Sequence, residues 1–399
     1  MAQNSTSEQV FRDSASEPTP VPTLPQVGAS SRTAAPSLLP ASHPAARPVA
    51  DGGVSDAPLL RHLRGERGES EDTSAPVWFM RQAGRSLPEY REARGTTAML
   101  DACVTPALAA EITVQPVRRH HVDAGIFFSD IVVPARLAGL GVEIRPGVGP
   151  VFDHPIRTAA DVDALPKLGD DYEAALDPIR EAVGLTVAEL GTTPLIGFAG
   201  APFTVASYMV EGGPSRDHLR TRALMRTEPE TWHRLASWVA ELSGRFLRAQ
   251  VLAGASAVQL FDSWVGALGA DLYREAVLPH SAEVLGAVAD LPVPRIHFGV
   301  GAAHLLRPMH EAGATVVGVD HRMRLDEALE ILPEGTPVQG NIDPAVLFTS
   351  EEVRFAEARA VLAAGAGASG HVVNLGHGVP PETDPQVLTD LVAFLHAQR

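Results

Sequence analysis

Residues 257–264 read AVQLFDSW. The first five positions are largely apolar without alternation, and Asp262, Ser263 and Trp264 follow at once. A strand with one wet face alternates, whereas a strand covered on both faces does not. The stretch therefore predicts a buried strand whose carboxyl end carries polar groups. Working outward, similar runs rich in Val, Ile and Phe occur at Val77–Met80, Ala124–Phe128, Leu195–Phe198, Arg295–Phe298, Thr315–Val319, Pro337–Gly340 and Val372–Leu375, making eight with Ala257–Phe261. Helical stretches intervene. Thr105-Pro106 looks like an N-cap followed by proline at the first helical position. Glu228 to Leu252 is long and periodic, and Asp271–Val288, Glu351–Ala364 and Asp384–Ala397 fit helices. Eight strand–helix units predict an α/β fold, a single (β/α)8 TIM barrel. A doubly wound sheet would want a GxGxxG turn after an early strand, and none follows the first. The stretch GVEIRPGVGPVF, residues 141–152, alternates around glycine and proline and predicts a small hairpin over the barrel mouth.

Composition bounds the rest. The chain has 399 residues, 45% hydrophobic and 20% charged, which suits one large globular domain. Residues 1–54 are rich in Ser, Pro, Ala and Thr with no sustained period, and predict a disordered extension ahead of a barrel domain over 55–399. The lone Cys103 rules out an internal disulfide and any two-thiolate site. No apolar run approaches the ~18 residues of a membrane span, and the amino terminus lacks a secretory pattern. A soluble, cytoplasmic protein is expected. A net charge of -16 argues against a nucleic-acid partner. The only lysine, Lys167, sits in DALPKLGDD, which reads as an exposed loop, so Schiff-base chemistry is discounted. No metal is expected: the histidines lack HExxH or paired-thiolate spacing.

A barrel of this kind carries its chemistry at the carboxyl ends of its strands. Arg81 and Arg85 follow the first strand, Ser129 and Asp130 the second, Tyr208 the third, Ser263 and Trp264 the fourth, and Gly376-His377-Gly378 the eighth. Two guanidiniums in a concave mouth call for anionic partners, and their planar fork suits carboxylate or phosphate. The absence of a Gly-rich phosphate loop tilts this toward carboxylates. Ion pairing with Glu89 or Glu92 is the plain structural alternative. Asp130 is either an N-cap or an acceptor for N–H groups and a stabiliser of positive charge. His377 between glycines suggests close backbone approach and an exposed ring, or a satisfied loop histidine.

Several stretches together resemble one family. PVWFMRQAGRSLPEYR (76–91) and GFAGAPFTVASYMVEGG (197–213) look like the two signatures of the uroporphyrinogen decarboxylases of haem biosynthesis. FFSDIVVP, QLFDSWVG, VQGNIDP and NLGHGVPPET match as well, in family order, from about residue 55 to the end. The resemblance implies a (β/α)8 barrel, a homodimer, and removal of CO2 from the four acetate side chains of uroporphyrinogen III to give coproporphyrinogen III, without metal or organic cofactor. By motif position it implies substrate binding by Arg81, Arg85, Asp130, Tyr208, Phe261, Ser263 and His377. Of these, Asp130, Arg81, Tyr208 and His377 are the catalytic candidates. The extension is longer than the family's usual one, and His321 stands where the family often has tryptophan.

Two other readings compete. Related barrels transfer methyl groups using zinc with cysteine ligands, a set that Cys103 alone cannot supply. A tetrapyrrole carrier without turnover would not need a charge at the pyrrole centre, where the resemblance puts Asp130.

Overall fold

The structure, a computed structural model, describes residues 38–67, 75–84 and 86–398. Among the described residues, nine strands run in chain order: β1 Gly125–Ile126, β2 Val142–Arg145, β3 Gly149–Phe152, β4 Leu195–Gly200, β5 Ala257–Asp262, β6 Arg295–Gly299, β7 Val316–Gly318, β8 Val338–Gln339 and β9 His371–Val372. Seven form one parallel sheet in the order β1-β4-β5-β6-β7-β8-β9, interleaved with helices. The run at Val77–Met80 joins its two edges. Trp78 N–H donates to the Val373 carbonyl at 3.2 Å, Val373 N–H donates to Pro76 at 2.8 Å, and Asp123 N–H donates to Val77 at 2.8 Å. Only Val77 is paired in sheet fashion, as a parallel bridge to Val373, so the eighth stave is short.

The strands lack alternation because both faces are covered. On β6, Ile296 and Phe298 belong to the core inside the barrel, while on β5 Val258 and Leu260 pack with the outer helices. One polar rung crosses the apolar interior: Trp78 Nε1 donates to Gln339 Oε1 at 3.1 Å, and Gln339 Nε2 donates to Gln259 Oε1 at 2.8 Å. Paired in this way, the buried Trp78 and Gln339 donors keep partners that burial would otherwise remove.

The helix Pro106–His120 begins at its proline, but Thr105 does not cap it by side chain; its hydroxyl donates back to the Asp101 carbonyl at 2.9 Å. The long helix is Pro229–Ala253. The single helix expected over 271–288 is corrected to two, Ala270–Ala276 and Leu278–Gly286, parted at Val277. Pro279 has no N–H to give the Glu275 carbonyl, so an unbroken helix would lose a rung there. The hairpin forms as β2 and β3, with Val142 opposite Phe152.

The expected extension differs in its second part. Residues 38–54 are folded, with short 3-10 turns at Pro44–Ala46 and Val49–Asp51. Leu39, Ala45 and Val54 are buried, and the His43 ring bonds the Val251 carbonyl at 2.7 Å. Residues 1–37 lie outside the described residues.

Candidate active site

A cavity of about 1230 Å³ opens at the carboxyl ends of the strands. Arg81, Asp130, Tyr208, Phe261, Ser263 and His377 all line it, as do Ser129 and Trp264. Arg85 lies outside the described residues. The β2–β3 hairpin lies along its edge, contributing Ile144 to Pro150.

The loop carrying Arg81 is built by buried amides. Gln82 is buried; its Oε1 accepts from Phe79 N–H at 3.0 Å and its Nε2 donates to the Ala124 carbonyl at 2.9 Å. Asn374 Oδ1 accepts from Met80 N–H at 3.0 Å and from Leu375 N–H at 2.8 Å, and Val379 N–H donates to Met80 at 2.8 Å. These bonds tie the Arg81 turn to the Gly-His-Gly loop. Arg81 itself takes a left-handed φ of 62°, a conformation that costs a non-glycine residue energy unless its surroundings fix it. Both glycines beside His377 are required by contact: a Cβ at Gly376 would meet the His321 nitrogen at 2.2 Å, and one at Gly378 would meet Arg81 Cδ at 2.5 Å.

Charge is unevenly distributed around the cavity. Asp130 Oδ1 accepts from Val132 N–H at 3.0 Å. Burial pushes the Asp130 carboxyl above its usual pKa, against the pull of that N–H and of the Arg81 charge. Burial and the Asp130 charge push the Tyr208 phenol up to about 12, so it keeps its proton and serves as a donor. Burial and then the Arg81 charge lower the His377 pKa below the ordinary imidazole value of 6.5, leaving a neutral ring at pH 7. The floor is aromatic. Phe261 meets Phe198 edge-on at 5.3 Å and 87°, and Phe298 at 6.2 Å and 79°.

Of the two alternative partners for the arginines, Glu89 is taken: it pairs with Arg119, at 2.5 and 2.8 Å. Cys103 is buried and does not line the cavity, and burial raises its thiol pKa well above the ordinary value. Lys167 is exposed in a loop away from the mouth. Asp320, beside His321, does not line the cavity, and its carboxylate accepts from Gly301 N–H at 2.6 Å. Among the described residues, no group of three or more His, Cys, Asp or Glu is placed to hold a metal ion.

Two further cations reach the cavity, and strand-end reasoning does not find them. Arg94 comes from the helix Pro88–Arg94, with its guanidinium 5.6 Å from the Tyr90 ring centre. Arg145 comes from β2, half-exposed and paired with Glu143 at 2.5 Å. The only sequence signal for Arg145 is its place in the hairpin over the mouth.

The family model for uroporphyrinogen decarboxylase matches residues 55–398. A uroporphyrinogen decarboxylase of Arthrobacter sp. (strain FB24) is 60% identical over 347 residues, covering 87% of this chain and 99% of that protein. One of Leifsonia xyli subsp. xyli (strain CTCB07) is 57% identical over 371 residues, covering 88% and 97%. Among solved structures, a methyltransferase from Methanosarcina mazei superposes with a TM-score of 0.70 at 18% identity, covering 85% of this chain and 97% of that one, which shows a shared fold. No helix among the described residues is long and apolar enough to cross a membrane.

Proposed function

The chain belongs to the uroporphyrinogen decarboxylase family and decarboxylates uroporphyrinogen in porphyrin biosynthesis, and we propose that it does so in this cavity with Asp130 as the central group. The observation that carries the reading is a single carboxylate, Asp130, set in one aromatic-floored cavity with Arg81, Tyr208, Ser263 and His377. At about 1230 Å³ the cavity exceeds the ~300–1,000 Å³ usual for small-molecule sites, as a tetrapyrrole requires.

The substrate carries carboxylates at its rim and pyrrole N–H groups at its centre. Loss of CO2 from an acetate leaves an electron pair that needs a sink. Protonation of the attached pyrrole supplies one. The C–C bond electrons flow into the cationic ring as CO2 departs, the exocyclic carbon then takes a proton to become methyl, and the ring loses its added proton. No cofactor is needed for this balance. Asp130 accepts the pyrrole N–H groups and stabilises the cationic ring. Burial makes its lone carboxylate costly, so a cation forming beside it is stabilised more than the neutral ground state, which is the condition for catalysis.

Arg81 and Arg85 anchor rim carboxylates, with Arg94 and Arg145 adding positive charge around the mouth. Arginine is a poor general acid at a pKa above ~12, so anchoring is the better role for it. Tyr208 and Ser263 donate hydrogen bonds. Neutral His377 donates through its ring N–H. Phe261 lies under the macrocycle. A homodimer in the cytoplasm, acting on the III isomer, completes the proposal.

The test is anaerobic incubation with uroporphyrinogen III, with and without chelator, and chromatography of the oxidised products. Four-step loss of carboxyls to coproporphyrin, unchanged by chelator, is expected. Binding without CO2 release would mean a carrier instead, and loss of activity with chelator would sink the cofactor-free route.

A further inference from the structure

Three rings are stacked beside the cavity. Tyr208 and Trp264 lie face to face, with centroids 3.9 Å apart and planes 28° apart. His218 covers the other face of Trp264 at 4.4 Å and 29°. His218 is buried, takes a left-handed φ of 49°, and meets Phe203 edge-on at 6.1 Å, so the back of the stack is fixed.

Trp264 is also fixed along its backbone. Its N–H donates to Thr204 Oγ1 at 3.2 Å, and the Thr204 hydroxyl donates to the buried Asp262 carboxylate at 2.6 Å. Thr204 and Tyr208 are four residues apart in the helix Pro202–Glu211, so they share a face. One helix face therefore holds Trp264 twice, by backbone through Thr204 and by ring through Tyr208. Among the described residues, no side-chain hydrogen bond to protein holds the Tyr208 hydroxyl, so the stack is what orients the phenol.

We propose that Trp264 is a positioning residue that sets the Tyr208 phenol in the cavity, and that the Asp262–Thr204 hydrogen bond sets Trp264. The proposal rests on the reading that Tyr208 donates to substrate. A phenol turned away by about an ångström loses its reaction geometry without losing the rest of the binding surface, so the effect falls on kcat more than on KM, by about 10- to 100-fold.

The experiment is a double-mutant cycle on the full chain with uroporphyrinogen as substrate, reading kcat and KM separately. Tyr208→Phe lowers kcat. Trp264→Leu lowers kcat to a similar degree, and adds little when combined with Tyr208→Phe. Trp264→Phe, which keeps an aromatic face, restores most of the loss. Thr204→Val shows a smaller loss that also vanishes in the Tyr208→Phe background. If the Trp264→Leu and Tyr208→Phe losses multiply, or if Trp264→Leu raises KM alone, Trp264 does not act through Tyr208 and the proposal is overturned. Near-normal turnover by Tyr208→Phe overturns the reading of Tyr208 as donor, and the clamp with it. Should Trp264→Leu not fold, the Thr204→Val cycle decides between the same outcomes.

Discussion

Gly378 lies so close to Arg81 that a Cβ on it would sit 2.5 Å from Arg81 Cδ and 2.8 Å from Cγ. The loop that presents His377 is thus also the wall against which the Arg81 side chain is laid. Gly378 is not among the positive-φ glycines, so alanine suits its backbone and the conflict falls on the arginine. Gly378→Ala is expected to lower kcat/KM at least ~10-fold, the scale of a lost charged hydrogen bond, while the melting temperature changes little. Steady-state kinetics beside a thermal melt would check it, and unchanged kinetics would mean that Arg81 has no part in binding.

Asp130 sets activity against stability. Its carboxyl pKa in the fold is raised by burial, so the folded state holds that proton to higher pH than the unfolded chain does. Its charge therefore costs stability as pH rises from the usual value of 3.8 to the raised one, and the full cost remains above that raised value. Asp130→Asn keeps an oxygen for the Val132 N–H and removes the charge. It is expected to lose at least ~10²-fold in kcat and to melt higher than the wild type at pH 7. That thermal advantage shrinks as the pH is lowered toward 3.8. Near-normal turnover would end the proposed role, and a gain independent of pH would show that the charge is not its source.

Arg145 and Glu143 are both half-exposed, so their ion pair is worth little and is easily exchanged for a substrate carboxylate. Arg145→Ala is expected to raise KM ~3- to 10-fold with kcat nearly unchanged, and the difference narrows at high salt because an exposed charge is screened. Glu143→Gln frees the guanidinium and leaves KM equal or lower. A rise in KM with Glu143→Gln as large as that with Arg145→Ala would mean the pair supports the hairpin and not the ligand.

The barrel is legible in the sequence because its strands are buried on both faces, which marks them as unbroken apolar runs. Each of the eight runs lies on a sheet strand or on the closing segment at Val77. Residues a short way past strand ends are legible for the same reason, as Asp130 and Ser263 are. What returns to the mouth from elsewhere is not. Arg94 sits on a helix and Arg145 on a hairpin, and no local pattern says which way either turns. Composition also misleads at residues 38–54. Their average looks disordered, yet Leu39, Ala45, Val54 and His43 each find a buried place, and a few anchored residues suffice to order a short strap.

His371 offers a test of stability apart from the reaction. It is buried on β9, where its Nε2 bonds the Gly340 carbonyl at 2.8 Å. Its Nδ1 faces Gly365 so closely that a Cβ there would lie 2.2 Å away. A second proton would have no solvent around it. Burial, with the nearby His62 and Arg67 adding to it and the Gly340 carbonyl opposing, lowers its pKa from 6.5 to about 4. The unfolded chain therefore binds a proton that the fold refuses as pH falls below 6.5. Stability from this residue is complete above that pH and is lost down to about 4, at about 1.4 kcal/mol per unit. Between pH 7 and pH 5 that amounts to about 2 kcal/mol. Urea unfolding at the two pH values would measure it. His371→Gln keeps a donor near the Gly340 carbonyl and cannot titrate, so it is expected to be less stable at pH 7 from poorer packing but to lose less on acidification. His120, also lowered to about 4 by burial, keeps part of the slope in that variant. An unchanged slope in His371→Gln would show that the acid sensitivity comes from elsewhere in the fold.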